Sequence, residues 1–236
     1  MKYLIHKASE RGGANFGWLN SKHSFSFGHY YDPHKMGFGL LRVLNDDIVQ
    51  AGMGFSEHPH DNMEIVSIPT SGALEHKDST GTNEVIRSGE VQIMSAGTGI
   101  RHSEFNHSKT ELVKFFQIWV MPKERNIKPR YEQKKFDVTD RQNKFQIVVS
   151  PNREEGGVWI NQDAWFSLAN ISNSNSVKYQ SKKSDNAAYL FVIKGTVEVA
   201  NQTLNERDAM GIVEYENFDI KASEDAEVLV IDIPMK

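Results

Sequence analysis

Hydrophobic and polar residues alternate along this chain in short runs, and residues that favour turns close each run. In the first half, the runs that predict strands fall at residues 2–5, 40–44, 63–70, 73–77, 84–86, 91–94 and 112–121. Turns are predicted between them, at Ser71-Gly72, Ser88-Gly89, Ser79-Thr80-Gly81 and Asn45-Asp46-Asp47. Short, regularly spaced strands without a long helical period predict an all-β protein built from barrels or sandwiches.

The second half of the chain repeats this organisation. Gly72 and Gly195 each follow an apolar run and precede a turn and another strand, which indicates an internal duplication. The charged segment 122–135 has few apolar residues, and we interpret it as a connector between two domains, residues 1–133 and 134–236. One short helix is predicted near residues 138–143, with Thr139 as its cap.

Composition narrows the classes of function. With 236 residues, of which 39% are hydrophobic, the chain can bury a substantial core. Its 27 basic and 31 acidic residues give a net charge of −4 without a basic stripe, so nucleic acid is not an expected partner. No apolar run is long enough for a membrane span or a signal segment, which predicts a cytoplasmic protein. Because there is no cysteine, any metal must be held by nitrogen and oxygen.

Two pairs of residues have the spacing of metal ligands. His58 and His60 form one pair, and His102 and Glu104 form the other. In a strand, residues two apart point to the same face, so two facing strands can close such pairs on one ion. Three histidines and a carboxylate suit Fe(II), Ni(II), Cu(II), Mn(II) or Co(II) rather than structural zinc. Such a set leaves positions open for an anionic phenolate and for O₂ or water.

The residues alone leave two questions open. The pattern of His58 and His60 also fits two surface histidines that flank a proline. Glu64 lies an even number of residues from both, so in a regular strand its side chain would face the same side as theirs. Glu64 is therefore a candidate ligand, a candidate general base, or a buried hydrogen-bonding partner.

The remaining histidines and the aromatic residues suggest simpler roles. His76 is interpreted as a buried or rim residue, and Trp119 as a core residue. Three histidines of the N-terminal segment are expected to border the pocket mouth: His23, His29 and His34. The last histidine is His107, so the second half cannot build a histidine metal site and is expected to be a structural or partner-binding lobe.

These motifs resemble those of a known family. Two sets of residues are similar to the two cupin motifs: Gly52, His58-x-His60 and Glu64 in the first, and Gly89, Gly97, His102 and Asn106 in the second. The segments His58-Pro59-His60-Asp61-Asn62-Met63-Glu64 and Ser95-Ala96-Gly97-Thr98-Gly99-Ile100-Arg101-His102-Ser103-Glu104 resemble the pirin family, and within it the bacterial pirin-like quercetin 2,3-dioxygenases. Glu64 precedes Gly72 by eight residues where the general cupin pattern has seven, which also fits the pirin pattern.

The resemblance implies a bicupin, with two β-barrels of the double-stranded β-helix type and little helix. It also implies that His58, His60, His102 and Glu104 hold one divalent metal in the N-terminal barrel, with Fe(II) expected first and Ni, Cu, Mn, Co or Zn as alternatives. The implied activity is opening of the central ring of a flavonol with O₂, in which Glu104 or Glu64 assists deprotonation. The alternative that the family implies is a metal- or redox-responsive regulator that acts through a protein partner.

Overall fold

The computed structural model describes all residues, 1–236, and contains 22 β-strands and three 3₁₀ helices. In chain order the strands are β1 (Lys2–His6), β2 (Gly12–Asn15), β3 (Leu19–His23), β4 (Leu41–Val49), β5 (Gly54–His60), β6 (Glu64–Ser71), β7 (Ala73–Asp78), β8 (Asn83–Arg87), β9 (Glu90–Ser95), β10 (Ile100–Asn106), β11 (Val113–Val120), β12 (Arg130–Lys135), β13 (Gln146–Ser150), β14 (Val158–Trp159), β15 (Trp165–Ile171), β16 (Ser176–Gln180), β17 (Asn186–Lys194), β18 (Val197–Val199), β19 (Gln202–Leu204), β20 (Ala209–Val213), β21 (Asn217–Ala222) and β22 (Ala226–Pro234). The prediction of an all-β protein is confirmed. None of the helices has the length and apolar composition needed to cross a membrane.

The strands form two barrels, each made of a seven-stranded and a four-stranded sheet. In the first barrel the strand orders are β12-β9-β6-β11-β4-β3-β2 and β5-β10-β7-β8, and in the second they are β1-β20-β17-β22-β15-β13-β14 and β16-β21-β18-β19. The first strand of the chain therefore belongs to the second barrel, because β1 pairs with β20. The predicted division at residues 133 and 134 does not anticipate this exchange.

The largest hydrophobic core lies between the barrels, where the two seven-stranded sheets face each other. It contains 27 buried residues, most of them from strands of the two sheets. Along β11, Phe116, Ile118 and Val120 join this core, while the residues between them face the interior of their own barrel. Strand β17 alternates in the same way, with Phe191 in the shared core and Leu190 in the interior of the second barrel. Both faces of these central strands are thus buried.

The interiors of the two barrels differ. The second barrel is filled by one apolar cluster of 19 buried residues. The first has only two small clusters, of six and four residues. Polar residues and a cavity occupy the rest of the interior of the first barrel. Of the two barrels, the first therefore has room for a ligand.

Three local predictions differ from the structure. Asn45, Asp46 and Asp47 were expected to form a turn, but they lie in the middle of β4, because pairing on both sides holds this segment extended. The predicted connector 122–135 ends in a real strand, β12, which pairs with β9. The predicted helix is a single 3₁₀ turn, Val138–Arg141, and its cap is Asp137 rather than Thr139, since the Asp137 side chain accepts the Thr139 backbone N–H.

We expect the contact between Phe116 and Phe191 to stabilise the two-barrel arrangement. Their rings are fully buried in the shared core and meet edge to face at 5.3 Å between centroids. Replacement of either by alanine should lower the free energy of unfolding by about 3–5 kcal/mol, because it leaves a cavity. Urea unfolding checks this, with Tyr31→Ala, which is 71% exposed, as the control. A loss no larger than that of the control would contradict the role of this core.

Candidate metal centre

Strands β5 and β10 carry the two predicted ligand pairs side by side. The strands are antiparallel neighbours, and the Cα atoms of His58 and His102 are direct partners. Pro59 fits here because β5 lies at the edge of its sheet, where a missing N–H costs no ladder bond. The turn before β10 requires glycine at Gly97, whose φ is +49° and whose Cβ would lie 2.0 Å from the carbonyl oxygen of Ile127.

The three histidines converge and are prepared to bind a metal. One ring nitrogen from each of His58, His60 and His102 lies within 4.8 Å of the others. The Nδ1–H of His58 donates to the Ser56 carbonyl at 2.8 Å, which leaves Nε2 of His58 free. Burial lowers the pKa of His60 to about 4 and that of His102 to about 2, so both rings are neutral at physiological pH. Neutral rings offer the lone pair that a metal needs.

Glu104 reaches the same region from the next inward-facing position of β10. A register irregularity between His102 and Glu104 places one extra residue of β5 opposite this part of β10. The Ser67 hydroxyl donates to Oε1 of Glu104 at 3.2 Å, and Nε2 of Gln117 donates to Oε2 at 2.7 Å. Burial raises the pKa of Glu104 to about 7, with Asp47 adding to the rise while the two hydrogen bonds oppose it. Its carboxylate lies within 4.8 Å of ligand nitrogens of His102 and His76.

All four predicted ligands line one cavity of the first barrel. The cavity encloses about 720 Å³ of empty space, its mouth included. Exposed residues mark the mouth: Phe16, Gly28 and His29. Buried polar residues line the bottom: Ser21, His23, Asn45, Asp47 and Gln117. Trp119, expected to be a core residue, packs against the small apolar cluster that contains Ile65, and it also lines the cavity, with its ring edge-on to His60 at 4.9 Å between centroids.

Two of the three N-terminal histidines contribute to the cavity. His23 and His29 line the cavity, while His34 is exposed and does not. The sequence could not place His23 at the bottom of the cavity, because its position depends on the pairing of β3 with β4.

Glu64 does not face the histidines. A break in the strand at Asn62, whose φ is +46°, separates β5 from β6 and ends the parity that Glu64 was expected to share with His58 and His60. Within β6, Glu64 has the parity of Val66 and Ile68, which face the second barrel. Its Oε2 accepts the Ser95 hydroxyl at 2.8 Å and the Asn161 backbone N–H at 3.1 Å. Glu64 is therefore a buried link between the barrels, and the structure does not support its role as a ligand or base.

Behind His102 lies a pair of residues whose function the sequence did not reveal. Nε2 of His76 is 2.9 Å from the Asp78 carboxylate, and Nδ1 of His76 is 3.5 Å from Nδ1 of His102. Although burial opposes it, hydrogen bonds from Thr80 and His76 hold the pKa of Asp78 below its usual value, so Asp78 is ionised. His76 then donates through Nε2 and accepts from His102 Nδ1–H. The i, i+2 spacing of His76 and Asp78 was the signal that could have found this pair.

The tautomer of His102 follows from this chain of contacts. With its proton on Nδ1, His102 keeps an unprotonated Nε2, and that atom is buried without any hydrogen-bond partner. A buried nitrogen lone pair without a partner, beside two further histidines and a carboxylate, fits a divalent transition metal. Both nitrogens of His76 are engaged and His76 does not line the cavity, so it acts as an outer partner of His102.

Comparisons with known proteins agree with this arrangement. The family model described as Pirin matches residues 5–120, and the one described as Quercetinase C-terminal cupin domain matches residues 147–233. The chain is 45% identical, over 98% of both lengths, to a protein of Escherichia coli K12 named quercetin 2,3-dioxygenase. It is 40% identical, over 94% of its own length and 95% of the other, to a protein of Caulobacter vibrioides named pirin-like protein.

A solved structure with the same architecture holds a metal. The crystal structure of the bacterial pirin YhhW from Escherichia coli in complex with nickel(II) matches with a TM-score of 0.93 and 43% identity, over 99% of each chain. The bicupin fold is thereby confirmed.

We predict that removal of any one ligand strongly weakens metal binding. Alanine at His58, His60, His102 or Glu104 should reduce nickel affinity by more than the ~100-fold that loss of an outer partner costs. Elemental analysis of the purified variants and calorimetry with nickel(II) check this prediction. His34→Ala, which removes an exposed histidine outside the cavity, is the control. Full metal content in any of the four variants would remove that residue from the ligand set.

The pair formed by His76 and Asp78 should tune the same affinity less strongly. His76→Phe keeps a ring against Tyr131, 4.8 Å away between centroids, but removes the acceptor for His102. We expect nickel affinity to fall by about 10–100-fold, as for other outer partners of metal-binding histidines. Asp78→Asn retains an oxygen acceptor and should cost less. A loss as large as that of His102→Ala would instead make His76 a ligand.

Proposed function

The chain belongs to the pirin family, and on this premise we propose that it is a metal-dependent quercetin 2,3-dioxygenase that opens the central ring of a flavonol with O₂. The observation that carries the proposal is the convergence of His58, His60 and His102 on one cavity, where the buried Nε2 of His102 has no protein partner. The 45% identity to a protein of that name over nearly the whole length supports the same activity.

The four residues that would hold the metal are His58, His60, His102 and Glu104. When bound, a divalent transition metal supplies a Lewis acid for an acidic hydroxyl of the substrate and redox chemistry towards O₂. We expect Fe(II) first, because three nitrogens and one oxygen suit it, with Ni, Cu, Mn, Co and Zn as alternatives.

Glu104 is the proposed proton acceptor. Burial raises its pKa to about 7 in the protein without a bound metal, and its carboxylate lines the cavity beside the histidines, where a general base is needed. Ser67 and Gln117 hold its two oxygens in fixed positions, so the carboxylate does not have to reorganise when it takes a proton from the substrate hydroxyl. Glu64 takes no part, since its carboxylate lies towards the second barrel.

The apolar part of the cavity suits the rings of such a substrate. Phe27 and Trp119 meet edge to face at 5.3 Å between centroids, and both line the cavity beside the histidines. They offer flat apolar surfaces to an aromatic molecule and displace water from the reacting centre.

The test is consumption of O₂ by protein loaded separately with Fe(II), Ni(II), Cu(II), Mn(II) or Co(II) in the presence of quercetin. At least one metal should support turnover, and Glu104→Gln should reduce kcat by about 10²-fold or more, as loss of a general base does. His34→Ala should keep wild-type turnover. If no metal supports O₂ uptake, the enzymatic proposal fails, and metal-dependent binding of a protein partner would then favour the regulatory alternative.

A further inference from the structure

A row of polar residues crosses the inner face of the seven-stranded sheet of the first barrel. Direct Cα partners link its members from strand to strand: His23, Asn45, Gln117, Ser67 and Gln92. Directly paired residues of antiparallel strands point to the same face. That face is the barrel interior, because Val49 and Phe115, which have the parity of Asn45 and Gln117, belong to an interior cluster. The side chains of this row therefore face the cavity, on the side opposite the sheet that carries the predicted ligands.

The members of the row differ in their hydrogen bonds. Ser67 and Gln117, in the middle of the row, donate hydrogen bonds to Glu104. Towards the end formed by His23, Oδ1 of Asn45, Nδ1 of His23 and, two residues along β4, Oδ1 of Asp47 are buried and have no hydrogen-bond partner. These side chains belong to residues that are only 2–3% exposed, and all three line the cavity.

Buried polar atoms without a partner require an explanation, above all where they line a cavity. A buried polar atom without a partner costs stability, so natural structures pair almost all of them. Asn45 and Asp47 stand where the opposite face of β4, with Leu44, packs in the core between the barrels. Apolar residues at both positions would suit the fold better. A ligand that supplies the missing hydrogen bonds explains why polar residues are kept there.

The chemistry of the atoms defines the ligand. The free amide oxygen of Asn45 is an acceptor. Burial raises the pKa of Asp47 to about 7, and its ionised carboxylate is an acceptor too, so the partner of both residues must bring donors. Cα atoms two residues apart on a strand are about 7 Å from each other, and neighbouring strands are about 4.8 Å apart. The acceptors are thus spread along a wall that begins one strand beyond Gln117, which holds Glu104. A flat molecule held near Glu104 extends its far end along this wall.

We propose that Asn45 and Asp47, with His23 beside them, bind free phenolic hydroxyl groups of the substrate on the wall opposite the histidines. These residues then select polyhydroxylated aromatic molecules over molecules that carry only the hydroxyl destined for the metal. The inference rests on the proposed function, from which it takes a flavonol-like molecule as the occupant, and it adds the residues that choose among such molecules.

The experiment measures binding without turnover. Nickel-loaded protein is titrated in the absence of O₂ with quercetin and with 3-hydroxyflavone, which keeps the hydroxyl of the central ring but lacks the others. Quercetin should bind wild type at least about tenfold more tightly, since each hydrogen bond to a neutral group contributes roughly five- to tenfold. Asn45→Leu and Asp47→Leu should each weaken quercetin by about that factor and leave 3-hydroxyflavone within about twofold.

Two controls separate recognition from structure. Gln92→Leu removes another buried side chain of the same row, also with an unpartnered oxygen, but Gln92 does not line the cavity, so the preference should persist. Asp47→Asn keeps an acceptor and should retain most of the preference. The melting temperature of Asn45→Leu should stay equal to that of wild type or rise, because the variant removes an unpaired polar atom.

Three results would overturn the inference, and a fourth separates it from the proposed function. Equal affinity of wild type for the two molecules, or an unchanged preference in both leucine variants, overturns the inference. A fall in melting temperature with no change in preference does so too, because it assigns a structural role to these residues. If quercetin binds with the expected preference but is not consumed in air with any metal, the proposed function fails while this inference stands.

Discussion

The packing of the two seven-stranded sheets against each other is the constraint on which the rest of the structure depends. It gives the protein its largest apolar core, 27 buried residues drawn from both barrels. Because strands such as β11 bury one face there, their other face need not be apolar for the sheet to be stable. The interior of the first barrel can then hold histidines, carboxylates and amides, whose burial would cost a lone barrel much of its stability.

The contrast between the barrels supports this view. Gly72 and Gly195 occupy equivalent turns, with φ of +77° and +79°, and at each a Cβ would collide with a backbone carbonyl oxygen, that of Leu112 or Asp225. The duplication therefore extends to backbone detail. The second barrel nevertheless fills its interior with 19 apolar residues, and the one histidine in its strands, His6 of β1, contacts Tyr189 of the core between the barrels. The same fold thus has an apolar interior in one half and encloses the cavity in the other, because the inward-facing residues differ.

How much the sequence could predict depended on whether a pattern was local. The pairs His58/His60 and His102/Glu104 were found because the period of two in a strand is a local property, and the turn at Gly97 was found because glycine is required there. The facing of Glu64 was missed because a single residue with positive φ, Asn62, separates two strands and resets the parity. The exchange of β1 into the second barrel leaves no local signal, since β20 lies some 200 residues away along the chain.

The most instructive failure concerns Asn45, Asp46 and Asp47. Three polar residues in succession ordinarily mark a turn, and pairing on both sides of β4 overrides that preference. The three residues then have different environments. Asp46 accepts a hydrogen bond from Arg207 of the second barrel at 2.8 Å, while Asn45 and Asp47 line the cavity, each with one oxygen that has no partner. Local preference and global fold disagree here because the segment serves an interface on one face and a cavity on the other. Natural sequences tolerate such conflicts mainly where function compensates for them. Polar residues that predict a turn but lie in the middle of a strand therefore indicate a functional site. Here they identify the cavity wall opposite the histidines.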